Sequence, residues 1–319
     1  MGLTNCNDCS SSAIKLSDKR LFQINRRYNS SNINDNSKTV YNSPEKSCVS
    51  NSEIELLILD TERDKIITNK IELRVIKNLK GLSEINYKNS LFLIGSDDDQ
   101  QEHGSYNFRL TNVKPDQTNF EILINSQFSH ISPSLCYIGD ETILVVGGKG
   151  QTACESYDTE FSRWDVLPNL PEERFHCTLV VDSAKKYVYL FGGFCKAKEK
   201  ICGSVYRLHI HKQLSWEKIT LGDKRTYELL NRSSCAGITI PHHDYIYLLG
   251  GKNAETAETD QIIRFDPINF KAIELSLKLK EPAKFINQTG SFISDTFFVF
   301  FNTRNDVEKV FLRDIKMLT

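Results

Sequence analysis

Cysteine, histidine and clustered aspartate, the side chains that most often bind metals or react, form few ordered patterns in this sequence. Cys6 and Cys9 make one Cys-x-x-Cys pair, but no second pair follows at the spacing of a zinc site. The acidic run Asp97, Asp98 and Asp99 lacks the spacing and the glycine of a calcium-binding loop. The sequence also lacks a phosphate-binding loop and a nucleophile elbow. It therefore predicts no metal, no cofactor and no catalytic residue.

The N-terminus offers covalent lipidation as a second kind of chemistry. Gly2 follows Met1 and is itself followed by small or uncharged residues, as in the N-myristoylation pattern. Cys6 stands where that pattern has Ser or Thr. Cys6 and Cys9 could accept palmitate, and a second chain would matter because one myristoyl chain attaches a protein only marginally to a membrane. The alternative is an ordinary, unmodified tail.

Charge and composition exclude several classes of partner. The 319 residues contain 40 Lys and Arg against 41 Asp and Glu, so no global basic field favours nucleic acid. The longest apolar runs are much shorter than the roughly twenty residues that span a bilayer. Nine cysteines without regular spacing favour reduced thiols. We therefore expect a cytoplasmic protein. The alternatives are a cytoskeletal location and, if the N-terminus is acylated, attachment to a cytosolic membrane face.

The chain divides into two regions by composition. Residues 1–50 are polar and low in complexity, and we expect a mostly disordered tail because such a segment buries too little apolar area to offset its ordering entropy. Leu21–Ile24 is its one strand-like island. Residues 51–319 contain short β-rich runs separated by polar turns, which indicates an all-β domain. Glu228–Leu230 is at most one helical turn.

A repeated unit organises the second region. An apolar run ends in a Gly-Gly doublet three times, and the second glycines of the doublets are 45 and 58 residues apart. That spacing corresponds to one supersecondary unit per copy. Two further copies, at Leu91–Ser96 and Phe297–Asn302, are degenerate. The repeated residues are Gly147, Gly148, Gly192, Gly193, Gly250 and Gly251, followed by Tyr157 and Trp164 in one copy and by Tyr206 and Trp216 in the next.

This pattern of hydrophobic residues, a glycine doublet, a tyrosine and a tryptophan resembles the kelch repeat. The resemblance covers residues 53–319 and implies a kelch-type β-propeller of four-stranded blades. Five second-strand signals and the segment 53–75 favour six blades over five, with degenerate first and last blades. The final strand, Lys309–Arg313, ends too early to close its blade. We therefore expect the strand at Leu21 to pair with it, which would cover two sheet edges.

The repeated residues have structural explanations. Each doublet is expected where the backbone turns sharply and a Cβ would crowd its neighbours. Tyr157 and Trp164 are expected to pack between adjacent blades. None of these residues is predicted to be catalytic.

The resemblance places function in the loops of one propeller face, which are the loops between second and third strands and those between blades. If these loops share a face, it carries an acidic sector beside a basic one, which suits electrostatic selection of a protein partner. The alternative is solvated loops without a ligand. The loop residues expected to bind a partner are Asp97, Asp98, Asp99, Lys196, Lys198, Lys200, Arg225 and Tyr227.

Two arginines occupy the entry to successive blades. In kelch relatives, arginines at the position of Arg174 and Arg232 often face the ligand surface and can bind carboxylates. An equal alternative is that each arginine holds its loop by bonding to backbone carbonyl oxygens. The first alternative predicts that replacing both weakens partner capture without altering folding.

The sequence thus predicts a non-enzymatic protein-binding module or scaffold, in part by analogy of fold. One alternative is a kelch-like enzyme, of the sugar epimerase or metal-dependent oxidase type, whose candidate ligands are His103, His130, His176 and Cys235. Another is a substrate-recognition subunit of a ubiquitin ligase. That role would need a partner in trans, because the N-terminal tail is too short for the BTB domain that kelch relatives often carry.

Overall fold

The computed structural model describes residues 20–24, 52–60, 65–73, 81–88, 90–96, 105–114, 117–212, 214–240, 243–285, 291–294, 297–301 and 307–311. Within these residues the chain is all-β, with one short helix, as the sequence predicts. None of the described helical structure is long and apolar enough to cross a membrane. The sites proposed at Gly2, Cys6 and Cys9 lie outside the described residues, and so does the loop that contains His103.

The first half of the described chain forms three antiparallel sheets, each with its strands in chain order. The first sheet consists of β1 (Arg20–Ile24), β2 (Ser52–Asp60) and β3 (Lys65–Leu73). The second consists of β4 (Leu82–Tyr87), β5 (Ser90–Ser96), β6 (Ser105–Lys114) and β7 (Gln117–Ile122). The third consists of β8 (Ser134–Gly139), β9 (Thr142–Gly148), β10 (Gln151–Asp158) and β11 (Arg163–Leu167).

The second half continues the same arrangement and adds short ladders in the loops. The fourth sheet consists of β12 (Thr178–Val181), β13 (Tyr187–Phe191), β16 (Tyr206–His209) and β17 (Glu217–Lys218), with the hairpin β14 (Phe194–Cys195) and β15 (Lys200–Ile201) inserted. Helix α1 (Lys224–Leu230) leads to β18 (Arg232–Ser233). The fifth sheet consists of β19 (Ala236–Thr239), β20 (Ile246–Leu249), β22 (Thr259–Asp266) and β23 (Lys271–Ala283), and β21 (Lys252–Asn253) pairs with β18. The sixth consists of β24 (Ser291–Ser294), β25 (Phe297–Phe301) and β26 (Val307–Phe311).

The strand at Leu21 exists, but its partner differs from the predicted one. Strand β1 pairs with β2 along its whole length, from Arg20 opposite Asp60 to Ile24 opposite Leu56. Among the described residues, β26 pairs with β25 only. The expectation that the N-terminal strand joins the last strand is therefore wrong. The apolar strand β2 offers β1 a partner close in sequence.

Successive sheets pack face to face through clusters of buried side chains. The first strands of the second to fifth sheets are neighbours in order: β4 lies beside β8, β8 beside β12, and β12 beside β19. Phe92 of the second sheet packs with Tyr157 and Trp164 of the third. Tyr189 of the fourth packs with Phe265 of the fifth. This series of four-stranded antiparallel sheets is compatible with a β-propeller-like fold.

Hydrogen bonds between sheets follow one pattern at the start of each first strand. The backbone N–H of Ser234 donates to His176 O at 3.0 Å, and that of Phe285 donates to Ser234 O at 2.8 Å. Ser134 Oγ donates to Cys177 O, and Thr178 Oγ1 donates to Cys235 O, both at 3.0 Å. The first strands of the third, fourth and fifth sheets are therefore held in register with one another by backbone and side-chain bonds.

The glycine doublets lie where one sheet meets the next. Gly192 has φ +58°, and a Cβ at this position would be 1.8 Å from Arg232 O. The N–H of Gly193 donates to the same oxygen at 3.0 Å. Gly147 and Gly250 repeat this geometry, with φ +62° and +60°. The doublets thus need both a left-handed backbone and the absence of a side chain, as the sequence predicts.

Helix α1 is longer than the single turn that the sequence suggests. Asp223 caps its N-terminus, because the Asp223 carboxylate accepts the N–H of Thr226 at 2.7 Å. The helix buries Leu229 and Leu230 and packs on β23, where Thr226 Oγ1 accepts the N–H of Ala272 at 3.0 Å. It therefore fixes the loop between the fourth and fifth sheets.

Candidate functional site

A buried histidine or arginine occupies the entry to each of three successive sheets. His130, Arg174 and Arg232 each precede the first strand of their sheet by four residues. Their exposed fractions are 0, 0 and 2%. His130 Nδ1 lies 2.6 Å from Gly147 O, Arg174 Nη1 donates to Gly192 O at 2.8 Å, and Arg232 Nη1 donates to Gly250 O at 3.1 Å. Each group therefore holds the first glycine of the doublet in its own sheet.

These contacts correct the expectation that Arg174 and Arg232 face a ligand. Arg174 also donates to Ser204 O at 2.8 Å, and Arg232 donates to Leu229 O at 2.6 Å and to Gln261 Oε1 at 3.0 Å. Both guanidinium groups are buried and donate hydrogen bonds to oxygen atoms of the protein itself. The alternative in which they bind backbone carbonyl oxygens therefore describes them, and we now expect their replacement to alter folding.

His130 was missed as a member of this series because its residue type differs. Its Nε2 lies 2.9 Å from Glu155 Oε2, and both side chains are buried. The Glu155 carboxylate also accepts the backbone N–H groups of Gln127 and Phe128 at 2.9 and 3.1 Å. With both ring nitrogens occupied, His130 has a structural partner on each side.

The other candidate metal ligands are not brought together. Cys235 is buried, and burial raises the pKa of its thiol to about 11. His176 has φ +53° and packs its ring edge-on against Phe175. Within the described part of the chain, no group of three or more His, Cys, Asp or Glu side chains is placed to hold a metal ion. The six described cysteines, Cys136, Cys154, Cys177, Cys195, Cys202 and Cys235, are buried and unpaired.

The repeat aromatics lie between sheets, and the indole N–H groups of both tryptophans are hydrogen-bonded. The rings of Tyr157 and Trp164 are 4.9 Å apart, and Trp164 Nε1 donates to Ile124 O at 2.9 Å. Trp216 Nε1 donates to Pro168 O at 3.1 Å. Tyr206 packs in the same cluster as Trp216. This is the packing role predicted for the tyrosine and tryptophan of each copy.

The two kinds of loop meet at one end of the fourth and fifth sheets. Phe175, in the entry to the fourth sheet, exchanges backbone hydrogen bonds of 3.1 and 2.9 Å with Phe194 of β14. At the fifth sheet, β18 of the entry pairs with β21 of the loop between second and third strands. The expected shared face is therefore present here, while Asp97, Asp98 and Asp99 lie outside the described residues.

A cleft of about 940 Å³ opens at this end, between the fourth sheet and helix α1. Its lining includes three of the residues predicted to bind a partner, Lys198, Lys200 and Tyr227. Lys196 is exposed on the same hairpin but does not line the cleft. Arg225 lines a second cleft of about 570 Å³ and lies 3.6 Å from Glu274. The structure thus gathers part of the predicted set around one cavity.

Glu172 links the buried Arg174 to the wall of this cleft. Its carboxylate pairs with Arg174 Nη2 at 2.5 Å, accepts the hydroxyl of Tyr206 at 3.1 Å, and pairs with the Lys198 ammonium. Burial alone would raise the pKa of Glu172, but the adjacent Lys198 and Arg174 outweigh it and lower the pKa to about 2. Glu172 therefore neutralises the charge of Lys198 and orients its side chain at the cleft wall.

Two residues were not predicted from the sequence: Lys218, which lines the cleft, and Gly203, which supports the lining residue Tyr227. Lys218 reaches it because β16 and β17 pair in a register that places Tyr206 opposite Lys218. Gly203 lies beneath Tyr227, and a Cβ on Gly203 would be 2.9 Å from the Tyr227 ring. The Tyr227 side chain is held there with 44% of its surface exposed.

Comparison with known proteins adds no name to this arrangement. No protein-family model matches the chain, and no curated protein is significantly similar to it. The resemblance to kelch repeats therefore stays a prediction from the residues quoted above.

Proposed function

We propose that the chain forms a kelch-type β-propeller of six blades, with degenerate first and last blades. Six main sheets follow one another in the described residues, and the first and last contain three strands each. The neighbouring first strands and the doublets between sheets support this arrangement. The propeller would present its loops, rather than a deep central site, to other molecules.

We propose further that the protein is a non-enzymatic binding module for another protein. The observation that carries this proposal is the cleft at the loop end of the fourth sheet, which combines exposed lysines with a partly exposed aromatic side chain. A tyrosine in a concave surface is typical of binding hot spots, and the lysines around it can select a partner by charge. The reactive groups in the lining support binding over catalysis, because burial raises the pKa values of the Cys202 thiol and the Tyr206 hydroxyl.

The wider roles are extensions of this proposal. A cytoplasmic scaffold or adaptor, including a ubiquitin-ligase recognition subunit with a partner in trans, would use the same loop surface. Attachment to a membrane or to the cytoskeleton would depend on the partner or on acylation of Gly2. Metabolic labelling with a myristate analogue, with Gly2→Ala as the control, tests the acylation separately.

Site-specific photocrosslinking in cells of the natural source tests the binding function. A benzophenone side chain replaces Tyr227 in one variant and Lys212 in the control. Lys212 follows the last residue of β16, whereas the hairpin that lines the cleft precedes the first residue of β16. The control position is therefore at the other end of the sheet. We expect one protein to be crosslinked in high yield from position 227 and not from 212. The same products from both positions, or none from 227, would reject the proposal.

A further inference from the structure

The cleft at the fourth sheet has an order of side chains along its length. Lys200 lies at the end of the hairpin, Gly203 carries the Tyr227 ring, and Tyr206 lies opposite Lys218 in the register of β16 and β17. The cleft therefore presents a cation, an aromatic ring and a second cation in sequence. The six steps along the chain from residue 200 to residue 206 span roughly 20 Å at most.

The two outer cations lack acidic partners. Neither Lys200 nor Lys218 belongs to an ion pair within 4.0 Å in the part of the chain that the structure describes. The acidic residues of the lining are engaged elsewhere: Glu172 is bound by Arg174 and Lys198, and the Asp223 carboxylate accepts the N–H of Thr226. The lining thus contains two lysines without an ion-pair partner among the described residues, against one carboxylate, Asp223, that caps helix α1.

Part of the cleft wall is apolar, and its aromatic side chain is supported from the side of Gly203. The Tyr227 ring rests on Gly203, and Ile219 and Leu221 line the cavity close by. A rigid aromatic side chain loses little conformational entropy when a partner covers it. The volume of about 940 Å³ is at the upper end of the range for binding clefts, which is large enough for several residues of a peptide.

We propose that this cleft binds an extended acidic segment of a partner protein, in which two carboxylates pair with Lys200 and Lys218 and an apolar side chain between them packs on Tyr227. The inference rests on the proposed binding function and names the chemistry of the partner. Charge complementarity selects the segment, since the lysines of the lining, Lys198, Lys200 and Lys218, outnumber its carboxylates, Glu172 and Asp223. The spacing places the two acidic residues within about six positions of each other.

Selection from random peptides displayed on phage tests this inference with the full-length protein. We expect enriched peptides to contain acidic, apolar and acidic residues in that order. Binding of a synthetic copy, measured by fluorescence polarisation, should weaken about tenfold or more for Lys200→Glu with Lys218→Glu. The matched variant Lys186→Glu with Lys212→Glu, at the other end of the fourth sheet, should bind within about twofold of the wild type.

A third variant tests the aromatic part without changing charge. Gly203→Ala should displace the Tyr227 ring and weaken binding, while thermal unfolding shows that the variant remains folded. Enriched peptides without acidic residues, no enriched peptide, or equal losses in the two lysine variants would overturn the inference. A partner crosslinked from position 227 through a segment without acidic residues would overturn the inference alone and leave the binding function standing.

Discussion

The carbonyl oxygen of Arg232 fills the space in which a side chain on Gly192 would lie. A Cβ there would be 1.8 Å from that oxygen, and the glycine has φ +58°. The contact joins the fourth sheet to the entry of the fifth. This one contact therefore explains why residue 192 is a glycine and how closely the entry of the fifth sheet approaches the fourth.

Gly192→Ala should destabilise the protein strongly, because it combines backbone strain with a clash. We expect a loss of about 2–5 kcal/mol in the free energy of unfolding, measured by chemical denaturation. Gly139→Ala separates the two effects, since Gly139 has φ +101° and no atom within 4 Å of an added Cβ. It should cost only about 1–2 kcal/mol. Equal losses in the two variants would contradict the proposed clash.

Replacing Arg174 or Arg232 with methionine should reduce stability. Either change leaves carbonyl oxygens without their donors, and Arg174→Met also removes a buried partner of Glu172, so we expect a loss of about 3–5 kcal/mol for that variant. Denaturant unfolding measures the loss. Arg163→Met is a matched control, because Arg163 is exposed and pairs only with exposed Asp165 in the described contacts. Wild-type stability of Arg174→Met would restore the ligand-facing alternative.

Stability should fall in acid partly through Glu172. Its pKa in the folded protein is about 2, below its ordinary value of 4.5, so the ionised form stabilises the fold. This contribution is complete above pH 4.5 and is lost as the pH falls from 4.5 towards 2. Since the side chain retains some solvent exposure, we expect Glu172→Gln to cost only about 1–2 kcal/mol at neutral pH. The difference from wild type should shrink near pH 3.

The control for this experiment is Glu228→Gln. The Glu228 carboxylate is exposed and lies 3.7 Å from Lys224, so its removal should cost less than about 0.5 kcal/mol. Urea unfolding at several pH values measures both variants. A difference for Glu172→Gln that stays constant down to about pH 3 would contradict the assignment.

His130 and Glu155 should show strong energetic coupling. Removing either partner leaves the other buried, and we expect each single alanine variant to lose about 3–5 kcal/mol. The double variant should lose clearly less than the sum of the two losses. The exposed pair Lys88 and Glu141, 2.5 Å apart, should couple by less than about 1 kcal/mol. A double-mutant cycle on each pair measures the coupling, and additive losses at His130 and Glu155 would refute it.

The sequence predicted those features that depend on local spacing. The all-β class, the doublets and the aromatic packing follow from the period of the apolar runs and from residue types that tolerate few environments. Lys198, Lys200 and Tyr227 were predicted because they lie in connections between the main strands, although the structure places Lys200 in β15 and Tyr227 in helix α1. These predictions needed no knowledge of how distant strands pair.

Features that depend on where a side chain points in the folded protein were missed. Arg174 could point to solvent or inward with the same sequence around it, and only the position of Gly192 O and Ser204 O decides between them. Lys218 enters the cleft through the pairing register of β17, which its neighbours in the sequence do not specify. His130 could have been aligned with the arginines from its place four residues before Ser134.

The hydrogen bonds that the second glycine of each doublet donates to the next unit all run in one direction along the chain. The N–H of Gly148 donates to Arg174 O, that of Gly193 to Arg232 O, and that of Gly251 to Ala283 O. In each case the acceptor is made later on the ribosome than the donor. During synthesis, the N–H of the most recent glycine doublet therefore lacks its acceptor until the next entry has been made. A chain truncated between two sheets would leave that donor without its partner.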